Sequence, residues 1–322
     1  MNANGRFAPS PTGPLHLGSL RTALVAWLMA RSQGGRFLLR VEDLDPQRSR
    51  RKFEVLQMKD LQSLGIDWDG PPVRQSERTV LYAQAVSELN AQGRLYPCFC
   101  TRAEIRQAAS APHGEPPPTK PAGRGTLSES TPPADQVSQL EPEGAYPGTC
   151  RELPADAARE RISAGARFAL RLRADRERIS FTDGLLGPCT GAVDDFVLVR
   201  ADGVYAYQLA VVVDDAAQEI GEVVRGADLA ASTPRQILLQ RLLGLPTPRY
   251  AHVPLVLGHD GRRLAKRDQG AALGELEQSA TDTLTQLAHS LGLARDASRV
   301  PCAAELLSGF DPRRIPQSPV RL

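Results

Sequence analysis

The chain has 322 residues, with 39 Lys or Arg against 37 Asp or Glu, a formal net charge of +2. That length can bury a large core and exceeds what one small domain needs. A balance so near neutrality neither marks nor excludes a polyanionic partner, and 41% hydrophobic residues is ordinary for a globular protein.

The longest apolar run, ALVAWLMA, is too short to span a bilayer, and MNANGRFAPS lacks the basic head and apolar stretch of a secretory signal. A cytoplasmic monomer with no membrane partner is the expectation. In chain order, RFAPS reads as a strand, then a helix over about 19 to 33 in which Leu17, Leu20, Leu24, Trp27 and Leu28 share one apolar face. Gly34 and Gly35 end it, since glycine accepts the left-handed C-cap conformation cheaply. RFLLRVED is a buried strand ending in carboxylates, and helices follow near 49 to 64 and 77 to 92. This alternation predicts an α/β fold with crossover helices.

Residues 107 to 148 hold nine prolines and few large apolar side chains, so burial cannot offset their ordering entropy. They read as a flexible surface insertion. Beyond them RFALRLR, ISFTD, DFVLVR and EIGEVVRGADL predict strands, VYAYQLAVVVDD a strand running into a helix start, 233 to 243 a helix, and YAHVPLVLG one apolar strand. From about 271 a weak helical pattern leads to DPRRIPQSPVRL, which reads as frayed.

The stretch GPLHLGS stands between the first strand and the first helix. Helix N-termini expose unpaired N–H groups and about half a positive charge, so this turn is a candidate anion site. Gly13 and Gly18 admit a close ligand, Ser19 is a candidate cap and His16 a candidate donor to phosphate. On local pattern alone, an ordinary glycine-proline turn explains it as well.

RFAPSPTGPLHLGSLRTA resembles the start of class I aminoacyl-tRNA synthetases of the glutamyl type, with the family's HIGH signature on His16, Leu17, Gly18 and Ser19. About 250 residues later, LVLGHDGRRLAKRDQG is similar to the family's KMSKS loop, with Lys266 as its second lysine. Arg263 stands where the first lysine is common, and Ala265 where serine is. The resemblance runs from residue 5 to about 270. It implies a Rossmann-like core whose first half is 1–97, an inserted zinc-binding acceptor-type subdomain at 98–192 carrying the 107–148 segment, and a second half at 193–270. A short helical tail, 271–322, follows, with no anticodon-binding domain.

The resemblance further implies ATP-dependent activation of L-glutamate. His16, Gly18, Ser19 and Lys266 would meet ATP, with His16 and Lys266 catalytic, and Mg²⁺ would accompany the nucleotide. Arg6, Ala8, Ser10, Glu42, Tyr207 and Arg225 would hold glutamate, whose two carboxylates and one ammonium need cations and an anion. Taken singly, Arg225 or Glu42 is equally a surface ion pair worth about 0–1 kcal/mol.

Only some fifty residues follow the Lys266 loop, and Val211 stands where full-length glutamyl enzymes tend to carry asparagine. Both features resemble a short branch of the family that transfers glutamate to queuosine in the anticodon of tRNA(Asp). The alternative in the same family is a discrete catalytic domain charging tRNA(Glu). A nucleotidyltransferase and a non-catalytic tRNA-binding relative are the other classes.

Cys98, Cys100, Tyr146 and Cys150 match a zinc site of that short branch, which implies one structural Zn²⁺ per chain. On spacing alone they are as readily reduced structural residues. Cys189 and Cys302 are ordinary thiols, and RSRRK at 48 to 52 is a solvated helix face.

Overall fold

The computed structural model describes residues 2–101, 103–105, 137–141, 145–258, 279–294 and 299–321. Strand β1 (Gly5–Phe7) is buried along its length and runs parallel to β2 (Phe37–Val41), which runs parallel to β3 (Val73–Arg74). Helices α1 (Leu17–Ser32) and α2 (Arg51–Ser63) make the crossovers. On the other side of β1 lies β10 (Glu222–Gly226), joined through the N–H groups of Gly221 and Glu222, which donate to the Asn4 carbonyl at 2.9 and 3.1 Å. Strand β11 (Arg249–Val253) continues parallel to β10. The chain thus winds away from the β1/β10 junction in both directions, and the crevice at the C-terminal ends of these strands is where a doubly wound sheet binds its ligand.

The sheet does not stop at β11. Strand β7 (Arg178–Asp183) pairs with it parallel, then forms a hairpin with β8 (Gly187–Ala192), and β5 (Ser138–Leu140) lies parallel to β8. A separate antiparallel sheet joins β4 (Leu95–Cys98), β6 (Ala169–Leu172) and β9 (Val197–Val199). The further helices are α3 (Thr79–Ala91), α4 (Ala155–Ser163), α5 (Tyr207–Ala217), α6 (Thr233–Leu242) and α7 (Ala280–Ser290). Two apolar clusters flank the parallel sheet, one around α1, α7 and Val253, the other around α5, α6 and Val223. Among the described residues no helix is long and apolar enough to cross a membrane.

Several expectations are corrected. Helix α1 is buried nearly all round from Leu20 to Ala30 rather than on one face, because α7 and a 3₁₀ turn (Ala303–Gly309) cover the side away from the sheet. Its buried Arg21 donates to the Pro254 carbonyl at 2.7 Å and to Ser290. VYAYQLAVVVDD does run from a bridge between Tyr205 and Val199 into a helix at Tyr207, but YAHVPLVLG is two strands, interrupted at Pro254 before β12 (Val256–Leu257). The final residues are not frayed: β13 (Val320–Arg321) pairs parallel with β12.

Part of 107–148 is ordered too, since β5 sits on β8 and Tyr146 is buried. Residues 106–136 and 142–144 lie outside the described residues. Strand β8 has no clear signal in the sequence, because GPCTGA holds two glycines and a proline and Thr190 is its one β-branched residue. Gly191 is what lets β5 approach: a Cβ there would meet the Leu140 carbonyl oxygen and Pro234 Cγ, each at 2.7 Å.

Candidate active site

A cavity of about 420 Å³ opens at the ends of β1 and β10. Arg6, Ala8 and Ser10 leave β1 along one wall, Glu42 follows β2, Tyr207 begins α5 and Arg225 comes from β10. His16, Gly18 and Ser19 at the start of α1 complete it. All nine described residues expected to meet ATP or glutamate therefore line a single cavity. Lys266, with Arg263 and Ala265, lies outside the described residues.

The cap of α1 is His16, not Ser19. His16 has extended backbone (φ −96°, ψ 165°), and its Nδ1 accepts from the Ser19 N–H at 3.2 Å while Nε2 lies 3.1 Å from Ser19 Oγ. The imidazole thus closes the first turn at the cavity edge. Gly18 leaves room beside it, since a Cβ there would stand a tight 3.2 Å from the ring. Remaining N–H groups of the first turn and the positive helix end make this wall chemically suited to an anion.

Beneath the β1/β2 wall lies a buried ion cluster. Asp215 of α5 takes Arg6 Nε at 3.1 Å and Arg40 Nη1 at 2.8 Å, and Arg40 Nη2 stands 3.8 Å from Glu42. Asp214 accepts from Arg78, Gln75 and Tyr82 at 2.6 to 2.8 Å. Burial alone would lower the Arg40 pKa, but Asp215, Glu42 and Asp214 outweigh it and raise it. Burial pushes Glu42 up to about 7, against the pull of Arg40 and Arg6. Burial would likewise raise Asp215, yet Arg40 and Arg6 prevail and lower it.

Arg225 is different. Only 4% exposed, it donates Nε to His252 Nε2 at 3.1 Å, Nη1 to Tyr207 Oη at 3.2 Å and Gln236 Oε1 at 2.8 Å, and Nη2 to Thr233 Oγ1 at 2.8 Å. None of these partners is a carboxylate, and among the described residues no salt bridge reaches Arg225. A buried guanidinium without a counter-ion is costly unless an anion arrives to meet it.

Beyond Tyr207, a second cavity of about 780 Å³ shares Ser10, Glu42 and Tyr207 with the first. Arg48, Arg167, Arg171 and Arg200 line it, as do Cys100 and Thr101. Arg48 thus faces a cavity, though RSRRK reads as a solvated face. Val211, in contrast, is buried in the core packed around α5 and lines neither cavity.

At the margin of the second cavity the sulfurs of Cys98, Cys100 and Cys150 lie within 4.8 Å of one another. Tyr146 Oη is 3.4 Å from Cys98 Sγ and 3.8 Å from Cys100 Sγ, and accepts from the Cys150 N–H at 2.7 Å. Arg171 lies over the Tyr146 ring at 3.7 Å. Burial raises the Cys100 thiol to about 11. Three sulfurs and one phenol oxygen so converged fit the four-coordinate donor set of a structural zinc ion.

Sequence reasoning missed Gln57, Arg40, Asp215 and His252. Gln57 donates to the carbonyls of Ser10 and Gly13 at 3.1 and 2.7 Å, which pins the loop between β1 and α1. Its position on α2, turned toward that loop, is a property of the packed fold and leaves no local signal.

Residues 3–295 match the family model described as tRNA synthetases class I (E and Q), catalytic domain. The chain belongs to this family. As a class I synthetase catalytic domain it has the α/β fold of a ligase that joins an amino acid to tRNA.

It is 51% identical over 318 residues to the glutamyl-Q tRNA(Asp) synthetase of Nocardia farcinica, covering 98% of this chain and 91% of the relative. With that of Symbiobacterium thermophilum it shares 47% over 331 residues, covering 99% and 95%. Among solved class I synthetases, a glutamate tRNA ligase from Elizabethkingia meningosepticum in complex with its amino acid superimposes with a TM-score of 0.78 at 26% identity, covering 100% of this chain and 67% of that one. The glutamate-tRNA synthetase of Elizabethkingia anophelis gives 0.79 at 26% identity, covering 100% and 68%.

Proposed function

We propose that this chain activates L-glutamate with ATP to glutamyl-adenylate and transfers the glutamyl group to queuosine in the anticodon of tRNA(Asp). The observation that carries the reading is Arg225, a buried guanidinium that no salt bridge reaches among the described residues, on the cavity that also holds Glu42. A ligand bearing carboxylates and an ammonium completes both. Arg6 and Arg225, helped by Tyr207, Ser10 and the backbone at Ala8, take the carboxylates, and Glu42 takes the ammonium. Glutamine would leave a buried guanidinium short of an anion, the kind of mismatch that discriminates by several orders of magnitude. The acceptor is read from the names of the relatives.

In activation a glutamate carboxylate oxygen attacks the α-phosphorus and pyrophosphate leaves, so the enzyme supplies alignment and charge stabilisation rather than a nucleophile. His16 and the first-turn N–H groups of α1 hold the phosphates, beside Gly18 and Ser19. Lys266 follows the charge that moves onto the leaving group. Mg²⁺ bound to ATP would add neutralisation of the phosphates. In transfer, a nucleophilic group of the base attacks the anhydride carbonyl and AMP departs. The second cavity, sharing Glu42 and Tyr207 with the first, gives that base its approach.

Cys98, Cys100, Cys150 and Tyr146 would hold one structural Zn²⁺, which would tie β4 to the segment carrying Tyr146. The deciding experiment is paired charging with radiolabelled glutamate. Queuosine-bearing tRNA(Asp) is expected to accept it and tRNA(Glu) is not; the reverse result establishes a discrete glutamyl-tRNA synthetase domain instead.

A further inference from the structure

Arg225 and His252 are direct cross-strand partners on β10 and β11, and the last residue of β7, Asp183, lies beside them. His252 is fully buried. Its Nδ1 is 2.5 Å from Asp183 Oδ2, while Asp183 Oδ1 accepts from the N–H groups of His252, Leu185 and Leu186 at 2.9 to 3.0 Å.

The polarity of this chain of bonds is forced. Burial would raise the Asp183 pKa, but the hydrogen bond and charge of His252, with the backbone donors, outweigh it and lower it, so Asp183 is an ionised acceptor. His252 must then carry a proton on Nδ1. Burial and Arg225 keep the imidazole neutral, prevailing over the upward pull of Asp183, so Nε2 is left with a lone pair. That lone pair faces Arg225 Nε at 3.1 Å, and a guanidinium can only donate. With Nε pinned there, the plane of Arg225 is set and its Nη edge is turned to Tyr207, Thr233 and Gln236.

We infer that His252, locked by Asp183 in its Nδ1–H tautomer, is a positioning residue that orients Arg225 toward a substrate carboxylate. The inference rests on the reading of Arg225 as a glutamate ligand. Neither Asp183 nor His252 lines the cavity, so both act through Arg225.

Asp183→Asn tests it at constant shape. The amide oxygen keeps the backbone N–H groups, while the amide nitrogen donates to Nδ1 and drives the proton to Nε2, against Arg225 Nε–H. In ATP–pyrophosphate exchange the KM for glutamate is expected to rise about tenfold or more, with the KM for ATP and zinc content unchanged. ¹⁵N NMR of the imidazole is expected to show the proton moving from Nδ1 to Nε2. His252→Gln, which keeps an acceptor oxygen toward Arg225, is expected to retain a lower glutamate KM than His252→Leu. Wild-type glutamate KM in both Asp183→Asn and His252→Leu, or an equal rise in KM for ATP, overturns the inference. Absence of glutamate-dependent exchange in the wild-type protein overturns the proposed function instead.

Discussion

Arg6 and Asp215 are 209 positions apart in the chain and 3.1 Å apart in space. The contact fastens the first strand to α5, and through Asp215 also to Arg40 at 2.8 Å. Removing the carboxylate takes from Arg6 its ion-pair partner and from Arg40 the nearest of its three, so Asp215→Ala is expected to lower the free energy of unfolding by about 3–5 kcal/mol, read from the urea midpoint. Its depressed pKa makes the stabilisation present above the ordinary value of 3.8 and lost as pH falls below it. An unchanged midpoint would show that the cluster is not structural.

Glutamate affinity should depend on pH through Glu42. In the empty site the raised pKa of about 7 leaves this carboxyl partly protonated at neutral pH, whereas an ammonium needs it ionised. The KM for glutamate is therefore expected to rise as pH drops below 7, about tenfold for each unit well below it. In Glu42→Gln the KM should be high and independent of pH between 5.5 and 8. A wild-type profile flat over that range contradicts the assignment.

Two functions of His16 separate by substitution. His16→Ala loses both the cap and the phosphate contact, costing about 1 kcal/mol of stability along with turnover. Asparagine is a good cap, so His16→Asn should recover the unfolding midpoint and leave the rate of adenylate formation low. Recovery of both would reduce His16 to a capping residue.

Elemental analysis of protein purified without chelator should give about one zinc per chain. Cys98→Ser with Cys100→Ser should lose it, and the loss should loosen β4 and the Tyr146 segment in hydrogen exchange before it affects α1 or β10. Stoichiometric zinc in the double variant would rule out the thiol cluster as the site.

Lys266→Ala is expected to abolish exchange while leaving the unfolding midpoint at the wild-type value. Retained exchange would remove Lys266 from the chemistry.

What the sequence disclosed follows from how local each signal is. Arg6, Ser10, His16 and Gly18 fall within one short segment whose glycines and histidine make a recognisable turn, and each reaches the cavity expected of it. The alternation of strands and helices, being a matter of periodicity, was legible too. Arg40, Asp183 and His252 were not, because the partners that give them their roles sit on elements far away in the chain. Within RFLLRVED, ISFTD and YAHVPLVLG nothing distinguishes a polar side chain that serves another residue. Strand β8 and the β12–β13 pair depend on tertiary neighbours rather than propensity.

The linkage of Asn4 to Gly221 and Glu222 has a consequence for biosynthesis. The ribosome delivers Arg6, His16, Arg40 and Glu42 early, but Asp214, Asp215 and Arg225 emerge well over a hundred residues later. Until then the N-terminal half carries two arginines without the aspartates that neutralise them, and an open sheet edge at β1. The cavity can therefore close only late in synthesis, once α5 and β10 have emerged to complete its walls.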